Sequence, residues 1–264
     1  MTRPEVLVLR AAGTNCERET AFAFERFGAQ ATTLHVNRLL QDPEALLRYH
    51  VLAIPGGFSY GDDVAAGAVF AAELGTRLSA PLQRFLADGG LALGICNGFQ
   101  VLVRLGLLPG LDQTLGTPEV SLTDNVSHKY EDRWVRCAIS SRRSVFIGDM
   151  EPPELPLAHA EGRLVCRDES VRQRLFDEDR VVLRYADSSG APTDSYPANP
   201  NGSTDAIAAL TDASGRVLGL MPHPERALFG FQHPEWTRRG GPPADLGPGA
   251  RFFANACEWV HENR

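Results

Sequence analysis

The sequence predicts an α/β fold: a mostly parallel central sheet flanked by helices, with an added antiparallel strand region. Three observations carry that expectation. Short, continuous apolar runs recur up to Leu105, as in strands buried on both faces. Helix-like stretches, several of them stopped by glycine, alternate with those runs and so build successive β-α units. From Leu108 the texture changes to shorter strand candidates separated by polar loops.

Val6 to Leu9 reads as the first buried strand. Glu19 to Phe27 follows, with Phe22, Ala23 and Phe27 at helical spacing and Gly28 as the stop. Thr32 to Val36 is β-branched and short, and Asp42-Pro43 opens a helix through Leu46 and Leu47. Val51 to Ile54 is a strand ended by Pro55-Gly56-Gly57. Pro81 to Leu86 is a helix stopped at Asp88-Gly89-Gly90. Leu91 to Ile95 is the next strand, and Phe99 to Leu105 the helix after it. Further on, Trp134 to Ile139 and Val181 to Tyr185 read as strands of a stretch that adds antiparallel strands and a lid over one edge. Ile207 to Leu210 and Val217 to Leu220 flank Asp212-Ala213-Ser214-Gly215, a hairpin signal. Residues 232–249 are rich in Gly and Pro and read as a long inserted loop, and Phe252 to His261 closes the chain as a helix. One domain over residues 1–264 is expected, without internal repeats.

The 264 residues are 43% hydrophobic, enough for a sizeable core. The formal charge of −7 argues against nucleic acid or an anionic membrane as the main partner. No apolar run approaches the roughly 18 residues that span a bilayer, and Val6 to Leu9 is too brief for a signal-peptide core. Five scattered cysteines suit a reducing compartment, so a cytoplasmic protein is expected.

Gly94-Ile95-Cys96-Asn97-Gly98 is the sharpest local feature. A buried strand runs into a Cys with glycines two residues before and after, and a helix begins at once. This is the nucleophile-elbow pattern with Cys in place of Ser. The turn leaves no room for flanking side chains, and the helix N-terminus favours a thiolate. Cys16, Cys137, Cys166 and Cys257 lack this context and read as passive.

A nucleophilic thiol needs a base held by a third group. Met221-Pro222-His223-Pro224-Glu225-Arg226 follows the strand Val217 to Leu220. In extended chain, residues two apart point the same way, so Glu225 can fix the imidazole of His223. His159-Ala160-Glu161 and His233-Pro234-Glu235 compete for the role. The latter has no strand feeding it, which puts His223 ahead, while His159 can line the pocket. The loop Pro55 to Asp63 can turn backbone N–H groups toward a developing anion, together with the N–H of Asn97. It carries no Walker lysine. The chain has no dinucleotide fingerprint and no Cys-x-x-Cys or His-x-x-x-His spacing, so no protein-bound metal is expected.

Gly94 to Gln100, the Pro55 to Asp62 loop and Met221 to Arg226 resemble the class I, triad-type glutamine amidotransferases, a flavodoxin-like family. Within it the likeness is nearest to glutaminase components that serve an ATP-dependent ligase of de novo purine synthesis. Gly13-Thr14-Asn15-Cys16, Leu107 to Gly110, Asn125-Val126-Ser127, His159 to Arg163 and Asn199 to Ser203 match that group in order, over nearly the whole chain. The resemblance implies Cys96 as nucleophile, His223 as base and Glu225 as its orienter, with an oxyanion held by the N–H groups of Gly57 and Asn97. It further implies a glutamine pocket involving Phe58, Gln100, Asn125, Ser127 and His159. Ammonia would pass to a large synthase subunit that binds ATP and magnesium, with a small accessory subunit as a further partner; this chain itself would hold no cofactor. Arg10-Ala11-Ala12-Gly13 departs from the Phe-Pro that many members place before that glycine, and the 232–249 insertion is longer than in compact members. Two other readings compete: a γ-glutamyl peptide hydrolase on the same scaffold, and a non-catalytic binding subunit that retains the fold.

Overall fold

A computed structural model describes residues 2–112, 118–238 and 245–264. Strand β1 (Glu5–Arg10) is followed by α1 (Glu17–Glu25), β2 (Gln30–His35), α2 (Val36–Gln41), a 3-10 turn over Pro43–Arg48 and β3 (Val51–Ile54). Helices α3 (Ala68–Arg77) and α4 (Ser79–Ala87) lead to β4 (Leu91–Ile95), and α5 (Asn97–Arg104) leaves it at once. The second half runs β5 (Val120–Asp124), β6 (Glu131–Ile139), β7 (Glu154–His159), β8 (Glu161–Cys166), α6 (Glu169–Asp177), β9 (Val181–Ala186), β10 (Ile207–Thr211), β11 (Val217–Leu220) and α7 (Ala250–Asn263).

Among the described residues, one sheet runs in the order β2-β1-β3-β4-β11-β10-β9-β6-β7, and β5 pairs with β8 apart from it. Strands β2, β1, β3, β4 and β11 are mutually parallel, while β10, β9, β6 and β7 continue the sheet antiparallel. The parallel half is buried throughout β3 and β4, as expected where helices cover both faces. Helix α5 lies close to this half: a side chain at Gly219 in β11 would run into the ring of Phe99 at 2.1 Å. Burying a ring such as Phe99 contributes about 1.5–3 kcal/mol.

The hairpin expected between β10 and β11 is present, and β11 pairs in parallel register with β4, Gly219 opposite Gly94 and Leu220 opposite Ile95. The carboxyl ends of these neighbours therefore open side by side. Open α/β sheets place ligands at such ends.

Several elements depart from the sequence reading: α2 and β5 were not expected, the helix expected after Asp42-Pro43 is a 3-10 turn, and four more elements differ. Helix α3 was not expected, with Gly75 inside its apolar pattern; Gly67 caps it in a left-handed conformation. Strand β7 contains Pro156, which counts against a strand, but β7 is the last strand of the sheet, and an edge position tolerates the missing donor. Strand β8 pairs with β5 only, outside the main sheet. Helix α6 is polar, yet Asp168 caps it by accepting from the Val171 N–H at 2.9 Å. Within the 232–249 loop the described part forms a short 3-10 turn over Trp236–Arg238, and residues 239–244 of that expectation lie outside the described residues. No helix among the described residues is long and apolar enough to cross a membrane.

Candidate active site

Cys96 sits between β4 and α5 with φ 51° and ψ −105°, a conformation that costs a residue with a side chain of order 1–3 kcal/mol. Its N–H donates to Leu220 O at 2.8 Å, which ties the bend to the neighbouring strand. The bend requires both flanking glycines. A Cβ at Gly98 would fall 1.8 Å from Ile54 O, and one at Gly94 would fall 2.6 Å from Gly98 O. The sulfur is left at the head of α5 and 3.7 Å from Ala158 O, on a side chain that is almost fully buried.

Strand β11 delivers His223 beside this sulfur. The His223 N–H donates to Pro156 O at 2.7 Å, which links the end of β11 to the edge strand β7. The sequence reading expected His223 and Glu225 to align on extended chain. Instead Pro224–Arg226 is a 3-10 turn with Pro224 at its first position, where a missing N–H is harmless. The turn still brings the two together: His223 Nδ1 donates to Glu225 Oε1 at 2.6 Å, with both side chains buried. A Cβ placed on Gly56 would lie 2.7 Å from His223 Cε1, 3.3 Å from Cys16 Sγ and 3.5 Å from Cys96 Cβ, so three reactive side chains converge on that glycine. His223 Nε2 is buried with no hydrogen-bond partner among the described residues. Burial works against an imidazolium here. The Glu225 carboxylate and the two neighbouring cysteines outweigh it and hold the His223 pKa well above 6.5.

Cys16 was set aside as passive from sequence. The structure places its sulfur 4.0 Å from His223 Nδ1, where it accepts from Arg226 Nη2 at 2.9 Å. Burial raises its thiol pKa above 9.0. Donor atoms of Cys16, His223 and Glu225 lie within 4.8 Å of one another, a spacing a soft cation could use. The Arg226 guanidinium already faces that sulfur, however, and Nδ1 and Oε1 are bonded to each other. The cluster is thus arranged to hold protons. The available signal was positional: Gly13 to Cys16 leaves the carboxyl end of β1, next to β3.

A cleft with about 290 Å³ of free space opens over Cys96, lined also by Gly57, Phe58, Asp62, Gln100 and His159. Gly57 has φ 144° and pairs with Thr14, held by Phe58 N–H to Gly13 O at 2.9 Å and Asn15 N–H to Gly56 O at 3.3 Å. Those two bonds flank the pair and leave the Gly57 N–H turned away from Thr14. Asn97 opens α5 directly after Cys96. Its amide Nδ2 donates to Asp62 Oδ1 at 3.2 Å and to Gln100 Oε1 at 3.0 Å. Gln100 Nε2 in turn donates to Glu161 O, so both ends of that side chain fasten the cleft walls together. Phe58 is 43% exposed and stacks on Tyr130 with ring centroids 6.4 Å apart.

The other expected residues are placed differently. Asn125 is fully buried; its Nδ2 donates to Lys129 O and His159 O, each at 2.9 Å, and its Oδ1 accepts from His159 Nδ1 at 3.1 Å. Ser127 donates to Glu131 Oε1 at 3.0 Å. Neither is among the residues that line the cleft over Cys96; Asn125 instead braces His159, which does line it. Burial and the nearby His223 push the His159 pKa down to about 3, so its ring is neutral. His233, the third candidate base, is 3.5 Å from Glu154 Oε1 and packs edge-on against Trp134.

A family model described as the CobB/CobQ-like glutamine amidotransferase domain matches residues 3–260. The chain is 40% identical to the phosphoribosylformylglycinamidine synthase subunit PurQ of Dehalococcoides mccartyi, over 99% of this chain and 100% of that protein. It is 37% identical to part of the phosphoribosylformylglycinamidine synthase of Drosophila melanogaster, over 96% of this chain and 19% of that longer protein. Among solved structures, PurLQS from Thermotoga maritima contains a chain that superposes with a TM-score of 0.71 at 29% identity, covering 98% of this chain and 100% of that one. With the family model matched almost from end to end, the chain belongs to the CobB/CobQ-like glutamine amidotransferase family.

Proposed function

We propose that this chain is the glutaminase subunit of phosphoribosylformylglycinamidine synthase in de novo purine biosynthesis, acting in the cytoplasm. The observation that carries the chemistry is the convergence of Cys96, His223 and Glu225, with His223 Nε2 buried and unpartnered among the described residues. The full-length likeness to a subunit of that synthase supports the pathway.

Cys96 attacks the side-chain amide carbon of glutamine, and the C–N bond breaks as His223 delivers a proton to the leaving ammonia. Glu225 holds the ring's tautomer through Nδ1 and stabilises its charge. The tetrahedral oxyanion is received by the N–H groups of Gly57 and Asn97. Water then cleaves the γ-glutamyl thioester, and glutamate leaves. Gln100 and His159 shape the pocket, and Phe58 covers its mouth.

Ammonia passes to a large synthase subunit. That subunit binds ATP and magnesium and converts formylglycinamide ribonucleotide to formylglycinamidine ribonucleotide. A small accessory subunit completes the assembly, a reading supported by the likeness to a chain of PurLQS from Thermotoga maritima. The test measures glutamate release from glutamine with and without the synthase subunit, ATP and ribonucleotide. A marked rise with the partner supports the reading. Equal, partner-independent turnover of γ-glutamyl peptides would instead indicate a peptide hydrolase, and no turnover at all a non-catalytic subunit.

A further inference from the structure

Cys16 is a fully buried thiol that the steps assigned to Cys96, His223 and Glu225 leave unused. Its backbone is pinned at the start of α1. The N–H donates to Gly56 O at 3.3 Å, and the carbonyl accepts from the Thr20 N–H at 3.1 Å and from Thr20 Oγ1 at 2.8 Å. The Sγ–H donates to Asn15 Oδ1 at 3.1 Å. A thiol has a single proton to donate, so the sulfur turns lone pairs toward its remaining neighbours. Those are Arg226 Nη2 at 2.9 Å and His223 Nδ1 at 4.0 Å. Burial raises the Cys16 pKa, which keeps the sulfur a neutral thiol.

Arg226 directly follows Glu225 in the 3-10 turn, and its charge lies in the field of that carboxylate. Glu225 Oε1 accepts from His223 Nδ1 at 2.6 Å, whereas the buried Oε2 has no hydrogen-bond partner among the described residues. A guanidinium is permanently charged, and its fork to a carboxylate is among the strongest polar contacts a protein makes. Here that pair stays open. Among the described residues Glu225 is paired with His223, and the guanidinium rests on the Cys16 sulfur instead.

We propose that Cys16 is a positioning residue that holds the Arg226 guanidinium off Glu225 and so reserves this carboxylate for His223. This rests on the glutaminase reading and deepens it. Without the sulfur, the guanidinium turns to Glu225 Oε2 and neutralises the charge that steadies the imidazolium. Burial opposes charge on that ring, and Glu225 is foremost among the groups that hold its pKa well above 6.5. The other titratable groups acting with the ring are Cys96 at the elbow, His159 at the end of β7 and Tyr130 just before β6. His159 is neutral down to about 3, and burial raises Tyr130 above its ordinary 10.0, so neither changes charge near neutral pH. Glu19, on α1, also acts on the guanidinium.

The experiment follows the His223 ring by NMR titration of the full chain, and kcat/KM for glutamine against pH in the complex with the synthase partner. The imidazolium delivers a proton to ammonia, so activity falls as pH rises through the His223 pKa, and a less basic ring moves that limb to lower pH. Cys16→Ala is expected to move both midpoints down by about one pH unit and to lower kcat about tenfold, with KM for glutamine within about twofold. Cys16→Ser retains a neutral donor and acceptor and should bring both midpoints back. Cys16→Ala combined with Arg226→Met removes the cation as well, and the midpoints should again return to the wild-type values. A merely structural role would leave the midpoints of Cys16→Ala in place, or leave them low in the double variant, and either result overturns the proposal. Arg226→Met alone keeps the test independent of whether Cys16→Ala folds. It should leave the ring midpoint within about half a pH unit of wild type, because the guanidinium is already held off Glu225. A shift of a full unit in either direction overturns the proposal. A wild type that fails to hydrolyse glutamine overturns the glutaminase reading, whereas the ring titration needs no substrate and judges the role of Cys16 separately.

Discussion

Replacing Gly98 by alanine tests whether the seating of α5 on β3 is what aims the sulfur. The added methyl carbon would lie 1.8 Å from Ile54 O, 2.7 Å from Ile54 C and 3.1 Å from Ile54 Cβ. A relaxed carbon–oxygen contact needs about 3.3 Å, so the start of α5 must retreat by roughly 1.5 Å. Cys96 caps that helix and moves with it. A displacement of about 1 Å at a reacting group costs on the order of a hundredfold in rate, so kcat/KM for glutamine should fall at least that far. Overpacking should also cost about 1–3 kcal/mol, or a fall in Tm of a few degrees for a chain of this size. Steady-state glutamate release, thermal unfolding and the rate of iodoacetamide labelling at Cys96 read the three consequences. Gly75→Ala is the control. There the nearest atom to a new Cβ is Leu105 Cδ2 at 3.6 Å, so a gain of about 0.5–1 kcal/mol and unchanged activity are expected. If Gly98→Ala keeps turnover within a few-fold of wild type at an unchanged Tm, the elbow does not depend on this close approach and the reasoning fails.

Glu225→Gln should lower kcat by about a hundred- to ten-thousandfold, and His223→Ala at least as far, because the imidazole loses its tautomer or is absent. His233→Ala should leave glutamate release near wild type; a loss there equal to that of His223→Ala would reassign the base. The raised pKa of His223 makes its ion pair with Glu225 fully stabilising below the unfolded value of about 6.5, and the contribution is lost as pH rises through the folded value. Urea titrations of wild type and Glu225→Gln should therefore converge toward alkaline pH, and a gap independent of pH would contradict this. His159 has the opposite sign. With a folded pKa of about 3 it excludes a proton that the unfolded chain binds, so stability should fall as pH drops from about 6.5 toward 3, by at most ~1.4 kcal/mol per unit. His159→Gln should flatten that acid limb, and an identical limb in the variant would remove His159 as its source.

The parallel half was legible because burial on both faces writes itself as unbroken apolar runs. Val6 to Leu9, Val51 to Ile54 and Leu91 to Ile95 could hardly be anything else. Cys96 was legible for a related reason: the bend excludes Cβ atoms at Gly94 and Gly98, so steric need leaves a mark in the sequence. What went unseen depends on tertiary context. Strand β7 accepts Pro156 because no strand among the described residues pairs beyond it in the sheet, and a local pattern cannot report an edge. The closeness of Cys16 to His223 spans 207 positions, and only the exit of Gly13 to Cys16 from the carboxyl end of β1 hints at it. The resemblance assigns Asn125 and Ser127 to substrate, and the hydrogen bonds that hold them to His159 and Glu131 leave no local pattern in the sequence.

The imidazole of His223 has two cysteines in its neighbourhood, and they are not equivalent. Cys16 faces the Nδ1 edge, where Arg226 already donates to it and Glu225 already accepts the ring's proton. That sulfur is also buried with a raised pKa, so it neither competes for the Nδ1 proton nor opens toward the cleft. Cys96 lines the cleft, and His223 Nε2 has no partner among the described residues. A fully buried imidazole keeps a proton only if nearby anionic charge repays its desolvation; here Glu225, Cys96 and the sulfur contacts do so together. With Nδ1 fixed on Glu225, the proton free to move is the one on Nε2. Discarding an amine from a thioester-forming intermediate requires this directionality: the acid must stand at the leaving group and be unable to deliver its proton anywhere else.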